Sequence, residues 1–232
     1  MLRADLSLLA DVDRLADEIT ALVQHIDLLA NNAGSMVAEP RVTSEGLEAN
    51  FTGNHLAPFH LTERLLPLMR SAAGDAPKGS VRIVNTSSDG SEMIPTLDVD
   101  SMGAMENFPA GAIYCSGKLA NVMHARMLGE RLAGDGIVAH SFHPGTVGTN
   151  FFSHVSQEVR DRYGNQPMLT PEEGADTLLW LATSDEAGQS TGHYWHKRER
   201  RDPNPVVEDK GLLERFWNKS RDMVTNVLST LA

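Results

Sequence analysis

Four short apolar runs, separated by helix-length segments, constrain this chain more than any other feature. They span residues 26–30, 81–86, 137–142 and 192–195. Residues 81–86 are rich in β-branched side chains and read as a buried strand. The others have strand length and turn residues at their ends. Residues 1–7 read as the tail of a strand with a helix cap at Ser7. Leu8, Val12, Leu15, Ile19 and Leu22 then step by four and three, the pattern of an amphipathic helix. Further helices are predicted over 43–73, from Tyr114 to Leu132, over 170–183 and over 212–228. Thr170-Pro171-Glu172-Glu173 is a helix start with a capping box. Strands alternating with helices imply a parallel sheet covered on both faces. Such sheets place ligands at the C-terminal ends of their strands.

Three strand ends carry residues suited to that position. Residues 26–30 run into Asn31-Asn32-Ala33-Gly34, where small residues allow close approach of a ligand or make a tight turn. Residues 81–86 deliver Ser87 and Ser88, and residues 137–142 end in His143-Pro144-Gly145-Thr146-Val147-Gly148-Thr149. Tyr114 and Lys118 stand four apart at a helix start, so both lie on one face. A cation beside a phenol stabilises the phenolate and brings tyrosine toward proton transfer at neutral pH. Pro58 inside the 43–73 helix removes an N–H at a cost of about 3 kcal/mol. Its effect is a kink, or an Asn54 carbonyl released to hold a water.

With 20 basic and 31 acidic residues, the net charge of −11 argues against a nucleic-acid partner. The basic stretch at 196–201 contains Glu199 and precedes Pro203 and Pro205, so a solvated loop is expected. The single Cys115 forms no intrachain disulfide, and a reducing, cytoplasmic setting fits. No apolar run approaches the roughly 18 residues of a membrane span. No His-Glu-x-x-His pattern marks a metal site.

In order along the chain, these motifs resemble the short-chain dehydrogenase/reductase family, in its retinol-dehydrogenase-like branch. The carriers are Asn31-Asn32-Ala33-Gly34, Asn54-His55-Leu56, Ile83-Val84-Asn85-Thr86-Ser87-Ser88, Tyr114-x-x-x-Lys118 with Leu119-Ala120-Asn121, and His143-Pro144-Gly145-Thr146-Val147. The resemblance implies a Rossmann-like, doubly wound α/β domain and hydride transfer between NAD or NADP and a small alcohol/carbonyl substrate. It implies Tyr114 as general acid/base, Lys118 as the cation that lowers its pKa and holds the ribose hydroxyls, and Ser88 on the substrate oxygen. Asn54 would position a water through its main-chain carbonyl. Asn31, Ala33, Gly34, Pro144, Gly145, Val147 and Thr149 would line the cofactor, and Asp5 would contact adenine. The helices at 43–73 and 114–132 resemble those through which the family often dimerises, so a homodimer is compatible.

One departure stands out. The family's opening Thr-Gly-x-x-x-Gly-x-Gly turn, which wraps a pyrophosphate at a helix N-terminus, has no counterpart. Gly129, Gly134 and Gly136 read instead as caps at a helix end. The expectation is a single domain, residues 1–232, lacking its first βαβ unit and with weakened cofactor binding. The 26–30 strand would then be an exposed apolar edge, open to use as an interaction surface by a weakly active or inactive remnant. A shortened product and a late-placed start codon fit equally. Substrate identity rests on residues 89–111 and 150–170. Phe151, Phe152, Met168 and Leu169 are consistent with an apolar pocket wall or with core packing.

Overall fold

A computed structural model of the chain describes residues 1–163 and 167–231. Four strands, β1 (Leu28–Asn31), β2 (Arg82–Thr86), β3 (Val138–His143) and β4 (Tyr194–His196), pair in parallel in sequence order. A fifth, β5 (Glu199–Arg200), returns antiparallel along β4. The register sets Ala30 beside Val84, Asn85 beside Ser141 and Phe142 beside Trp195. All of β2 and β3 is buried, as expected of strands covered on both faces.

The helices are α1 (Leu9–Leu22), a single turn α2 (Ala49–Phe51), α3 (Ala57–Asp75), α4 (Ala110–Arg131), α5 (Gln157–Tyr163), α6 (Pro171–Thr183), the short α7 (Asp185–Gly188) and α8 (Lys210–Leu231). One face of the sheet carries the larger core, where Phe59, Met69, Ile83, Leu119, Met123, Phe216 and Trp217 meet. Val84, Phe142, Leu181, Ala187 and Trp195 form the smaller core on the other face. α8 explains its own placement, because Leu213, Phe216, Trp217, Ser220, Met223, Val224 and Val227 recur on one side and are buried. α4 is buried from Gly117 to Gly129 except at Arg126.

Several elements depart from the sequence reading. Residues 1–7 form no strand, and Ser7 does not cap α1. The cap comes from a distant residue instead: the Glu45 carboxylate accepts from Leu9 N at 2.6 Å and Ala10 N at 2.9 Å. The helix predicted from Thr43 begins only at Ala49, under Glu48, whose carboxylate accepts from Phe51 N. Gly46 stands between them at φ +77°, a conformation that ends a right-handed helix. The disturbance expected at Pro58 is a π turn, Thr52–Leu56, directly before α3. Residues 196–201 form a β4–β5 hairpin, not a loop, with Lys197 (φ 52°) and Arg198 (φ 63°) at its tip. Arg198 pairs there with Asp176, and Arg201 with Glu92.

The Thr170 capping box forms as predicted, with both reciprocal bonds present. Gly136 caps in the left-handed region, at φ +72°. Gly129 lies inside α4 and is no cap. A Cβ there would stand 2.7 Å from Gly192 N, so the glycine lets the helix touch the backbone entering β4. β1 is an edge strand among the described residues, as expected: it pairs with β2 alone, and Leu28 is 42% exposed. Among the same residues no helix is long and apolar enough to cross a membrane.

Two outcomes follow from this packing. Gly129→Ala should lower the melting temperature, because the backbone overlap outweighs the roughly 1 kcal/mol that Ala gains over Gly in a helix; a rise would contradict the close approach. Burial also holds His124 down to about 3 and His140 to about 4, from an ordinary 6.5. Below about pH 6.5 the unfolded chain takes up these protons and the folded chain does not. Stability should therefore be complete above pH 6.5 and fall toward pH 4, seen as a lower urea midpoint at pH 5 than at pH 7.5.

Candidate active site

A cleft of about 1060 Å³ opens at the C-terminal ends of β1, β2 and β3. Its walls come from the residues following each strand: Asn32 to Met36, Ser87 to Gly90, and His143 to Val147. The first turns of α4 supply Tyr114, Cys115 and Lys118, and α6 closes the far side with Gly174, Ala175 and Leu178.

Lys118 is buried, and its Nζ donates to the Thr86 carbonyl at 3.2 Å. Loss of hydration lowers its pKa to about 8, so the ammonium still predominates at neutral pH. Nζ stands 5.6 Å from the centre of the Tyr114 ring, the one-turn stacking that a four-residue spacing dictates. Ser88, just past the end of β2, lines the same cleft as Tyr114. A point at the Gly90 Cβ position lies 3.4 Å from Tyr114 Cε1 and 3.6 Å from Ser88 Oγ. Ser88 Oγ donates to Asp89 Oδ1 at 3.0 Å and accepts from Gly90 N at 3.1 Å.

Asn54 sits behind these groups rather than in the cleft wall. Its Nδ2 donates to the carbonyls of Ser35 and Asn50, both at 2.8 Å, while its buried Oδ1 has no hydrogen-bond partner among the described residues. A Cβ on Gly34 would lie 2.8 Å from that Oδ1 and 2.9 Å from Lys118 Nζ. The glycine of Asn31-Asn32-Ala33-Gly34 thus leaves a small space shared by an unfilled acceptor and an ammonium. Gly117 permits the same approach from α4, its Cβ position being 3.1 Å from Asn54 Cβ.

Of the residues expected to line a cofactor, Ala33, Gly34, Pro144, Gly145, Val147 and Thr149 line the cleft. Gly145 is at φ +89°, with its Cβ position 2.6 Å from Leu169. Two anticipated residues fall elsewhere. Asn31 turns its amide to Thr62 Oγ1 (3.1 Å) and Asn85 Oδ1 (2.9 Å), fastening β1 to α3 and β2. Asp5 folds back on Ser7, accepting from its N–H at 2.9 Å and its hydroxyl at 2.7 Å, because no strand forms there to carry it toward the cleft. Of the hydrophobic wall, Phe151 lines the cleft and packs on Tyr114 at 5.4 Å, and Leu169 caps Gly145. Met168 is not among the lining residues, and the side chain of Phe152 lies outside the described set.

Residues missed in the sequence include Asn32, whose Oδ1 accepts from Thr86 Oγ1 at 2.9 Å, and Asp89. The position of Asp89 directly after a strand-end serine was the available signal. His143 is another; its Nδ1 accepts from Asp89 N at 3.2 Å, its ring stacks on His196, and burial lowers its pKa to about 4. The Cys115 thiol is pushed up by burial and by Asp89, which makes it a poor nucleophile. No cluster of His, Cys, Asp and Glu among the described residues could hold a metal ion.

The nicotinamide end of a dinucleotide fits this donor set: an ammonium for ribose hydroxyls, the Pro144–Val147 loop as an apolar wall, and a glycine where the backbone must come close. The short chain dehydrogenase family model matches residues 1–160. Human retinol dehydrogenase 13 is 29% identical over 95% of this chain and 67% of its own length. Human retinol dehydrogenase 12 is 31% identical over 96% of this chain and 68% of its own. The chain thus spans about two thirds of these relatives. A crystal structure of an uncharacterised protein from Mycobacterium paratuberculosis superposes with TM-score 0.72, at 24% identity over 96% of this chain and 74% of that one. A Pseudomonas aeruginosa protein, solved as an NADP complex, gives TM-score 0.59 at 25% identity over 83% and 73%. Matched by family, by relatives and by fold, the chain belongs to the short chain dehydrogenase family, in its retinol-dehydrogenase-like branch.

Proposed function

We propose that this chain is an NAD- or NADP-dependent oxidoreductase acting on an alcohol/carbonyl pair, with Tyr114 as its general acid and base. The observation that carries the reading is the meeting of Tyr114, Lys118 and Ser88 at one cleft, with the ammonium buried beneath the phenol. When bound, the nicotinamide supplies or accepts the hydride. Tyr114 gives a proton to the oxygen of a carbonyl being reduced, or takes one from an alcohol being oxidised. Lys118 has two tasks. Its charge favours the phenolate, and its N–H groups reach the ribose hydroxyls. Ser88 holds the reacting oxygen beside the phenol. The unfilled Asn54 Oδ1 near Nζ supports a water that reloads the lysine and, through it, the tyrosine.

The exposed β1 edge favours a second reading, an interaction module that pairs strand to strand with another chain.

Titration with NADH and NADPH separates the two. Saturable fluorescence enhancement supports the enzyme, and no binding at millimolar cofactor supports the module. Tyr114→Phe should reduce turnover about hundredfold or more with cofactor affinity little changed; equal turnover would remove Tyr114 from the mechanism. Gly34→Ala should fold yet lose most activity, because its methyl overlaps Lys118 Nζ and Asn54 Oδ1. Full activity in that variant would show that the space above Gly34 is not needed.

A further inference from the structure

Asp89 follows Ser88 directly and lines the same cleft, yet the reaction above gives its carboxylate no task. It does impose a conflict. A hydroxyl has one proton and two lone pairs. The Ser88 proton is given to Asp89 Oδ1 at 3.0 Å, and one lone pair is taken by Gly90 N at 3.1 Å. Only an acceptor site is left for a substrate. The reacting oxygen needs donors as it gains negative charge, so the carboxylate competes with it for one proton. Hydrogen bonds to an ionised acceptor are about twice as strong as neutral ones, so a plain alcohol or ketone competes poorly.

Among the described residues, Ser88 Oγ is the side-chain donor that hydrogen-bonds the carboxylate, which is otherwise half exposed on the cleft side. Asp89 Oδ2 stands 3.9 Å from His143 Nε2, outside hydrogen-bond range, and His143 Nδ1 is occupied by the Asp89 N–H. Arg201 makes its ion pair with Glu92 and attracts Asp89 only at longer range, with no hydrogen bond to it. Met36, Met93 and Phe151 line the same cleft and supply no side-chain donor.

We propose that Asp89 selects substrates with a second hydrogen-bond donor, a hydroxyl or amino group, on the carbon next to the reacting one. That donor satisfies the carboxylate and releases the Ser88 proton to the reacting oxygen. The spacing agrees. Ser88 Oγ and Asp89 Oδ1 are 3.0 Å apart. With O–H···O bonds of roughly 2.7–2.8 Å to each, the two substrate heteroatoms stand about as far apart as oxygens on adjacent carbons. In oxidation of a vicinal diol, the carbinol C–H leaves as hydride to the oxidised nicotinamide and the O–H proton passes to the Tyr114 phenolate. An α-hydroxy ketone remains, its second hydroxyl still donating to Asp89.

The inference rests on the oxidoreductase reading, and the test separates the two. Octan-2-ol and octane-2,3-diol are compared as substrates of the wild-type chain and of Asp89→Leu, with NAD or NADP in oxidised form. The wild type should favour the diol by about tenfold in kcat/KM, the worth of roughly 1.4 kcal/mol. In Asp89→Leu the preference should collapse toward unity, chiefly through a gain for the simple alcohol. No preference in the wild type, or the same preference in the variant, overturns the assignment. Should neither alcohol turn over, the oxidoreductase reading fails, and saturation-transfer NMR of the two compounds still judges Asp89. A diol signal favoured by the wild type and equalised in the variant supports it, and equal signals in both overturn it.

Discussion

The site depends on one costly arrangement, an ammonium group buried beneath the first turns of a helix. Lys118 leaves water for a place where its amine donates to the Thr86 carbonyl, and burial alone brings its pKa down to about 8. A buried cation that is not stabilised deprotonates or forces the chain apart. The surroundings answer that demand. Ser87 Oγ donates to the Lys118 carbonyl at 2.7 Å, and Asn121 Nδ2 donates to the Thr86 carbonyl at 3.1 Å, so β2 and α4 are bound together at the level of the amine. Gly34 and Gly117 have no side chains because Asn54 and Lys118 fill the space such side chains would need.

Beneath this layer buried polar side chains tie β1 and β2 to each other and to the helices behind them. Asn31 reaches Asn85, Asn85 reaches His124 at 3.3 Å, and His55 reaches Ser220 on α8 at 2.8 Å. His55 and His124 stack among Phe59, Phe216 and Trp217. Burial keeps both imidazoles neutral at physiological pH, so they act as polar core residues. The strands that carry the cleft loops are thus held through hydrogen bonds that are costly to break in a low-dielectric interior.

Much of the fold was legible because period and punctuation carry it. The apolar runs near β1, β2, β3 and β4, the Thr170 cap and the apolar face of α8 all appear within a residue or two of where local pattern puts them. The helix expected over 43–73 starts later because Gly46 adopts a positive φ and the Glu48 carboxylate caps at Ala49. Gly129 looked like a cap because glycine at a helix end usually is one; its close neighbour, Gly192, is 63 residues away. The tip of the β4–β5 hairpin carries two non-glycine residues at positive φ, a choice no propensity favours.

By itself the sequence determined the parallel α/β plan and the positions of Ser88, Tyr114 and Lys118 relative to strand ends and helix turns, since period and spacing are local quantities. Tertiary structure alone decided which of those groups share a cleft, how far Lys118 is desolvated, and that Asn31 and Asp5 turn away. It also decided that a carboxylate at residue 89 takes the proton of residue 88. Each of these depends on atoms brought together from distant segments or on a side-chain rotation, and neither is encoded in the spacing of residues along the chain.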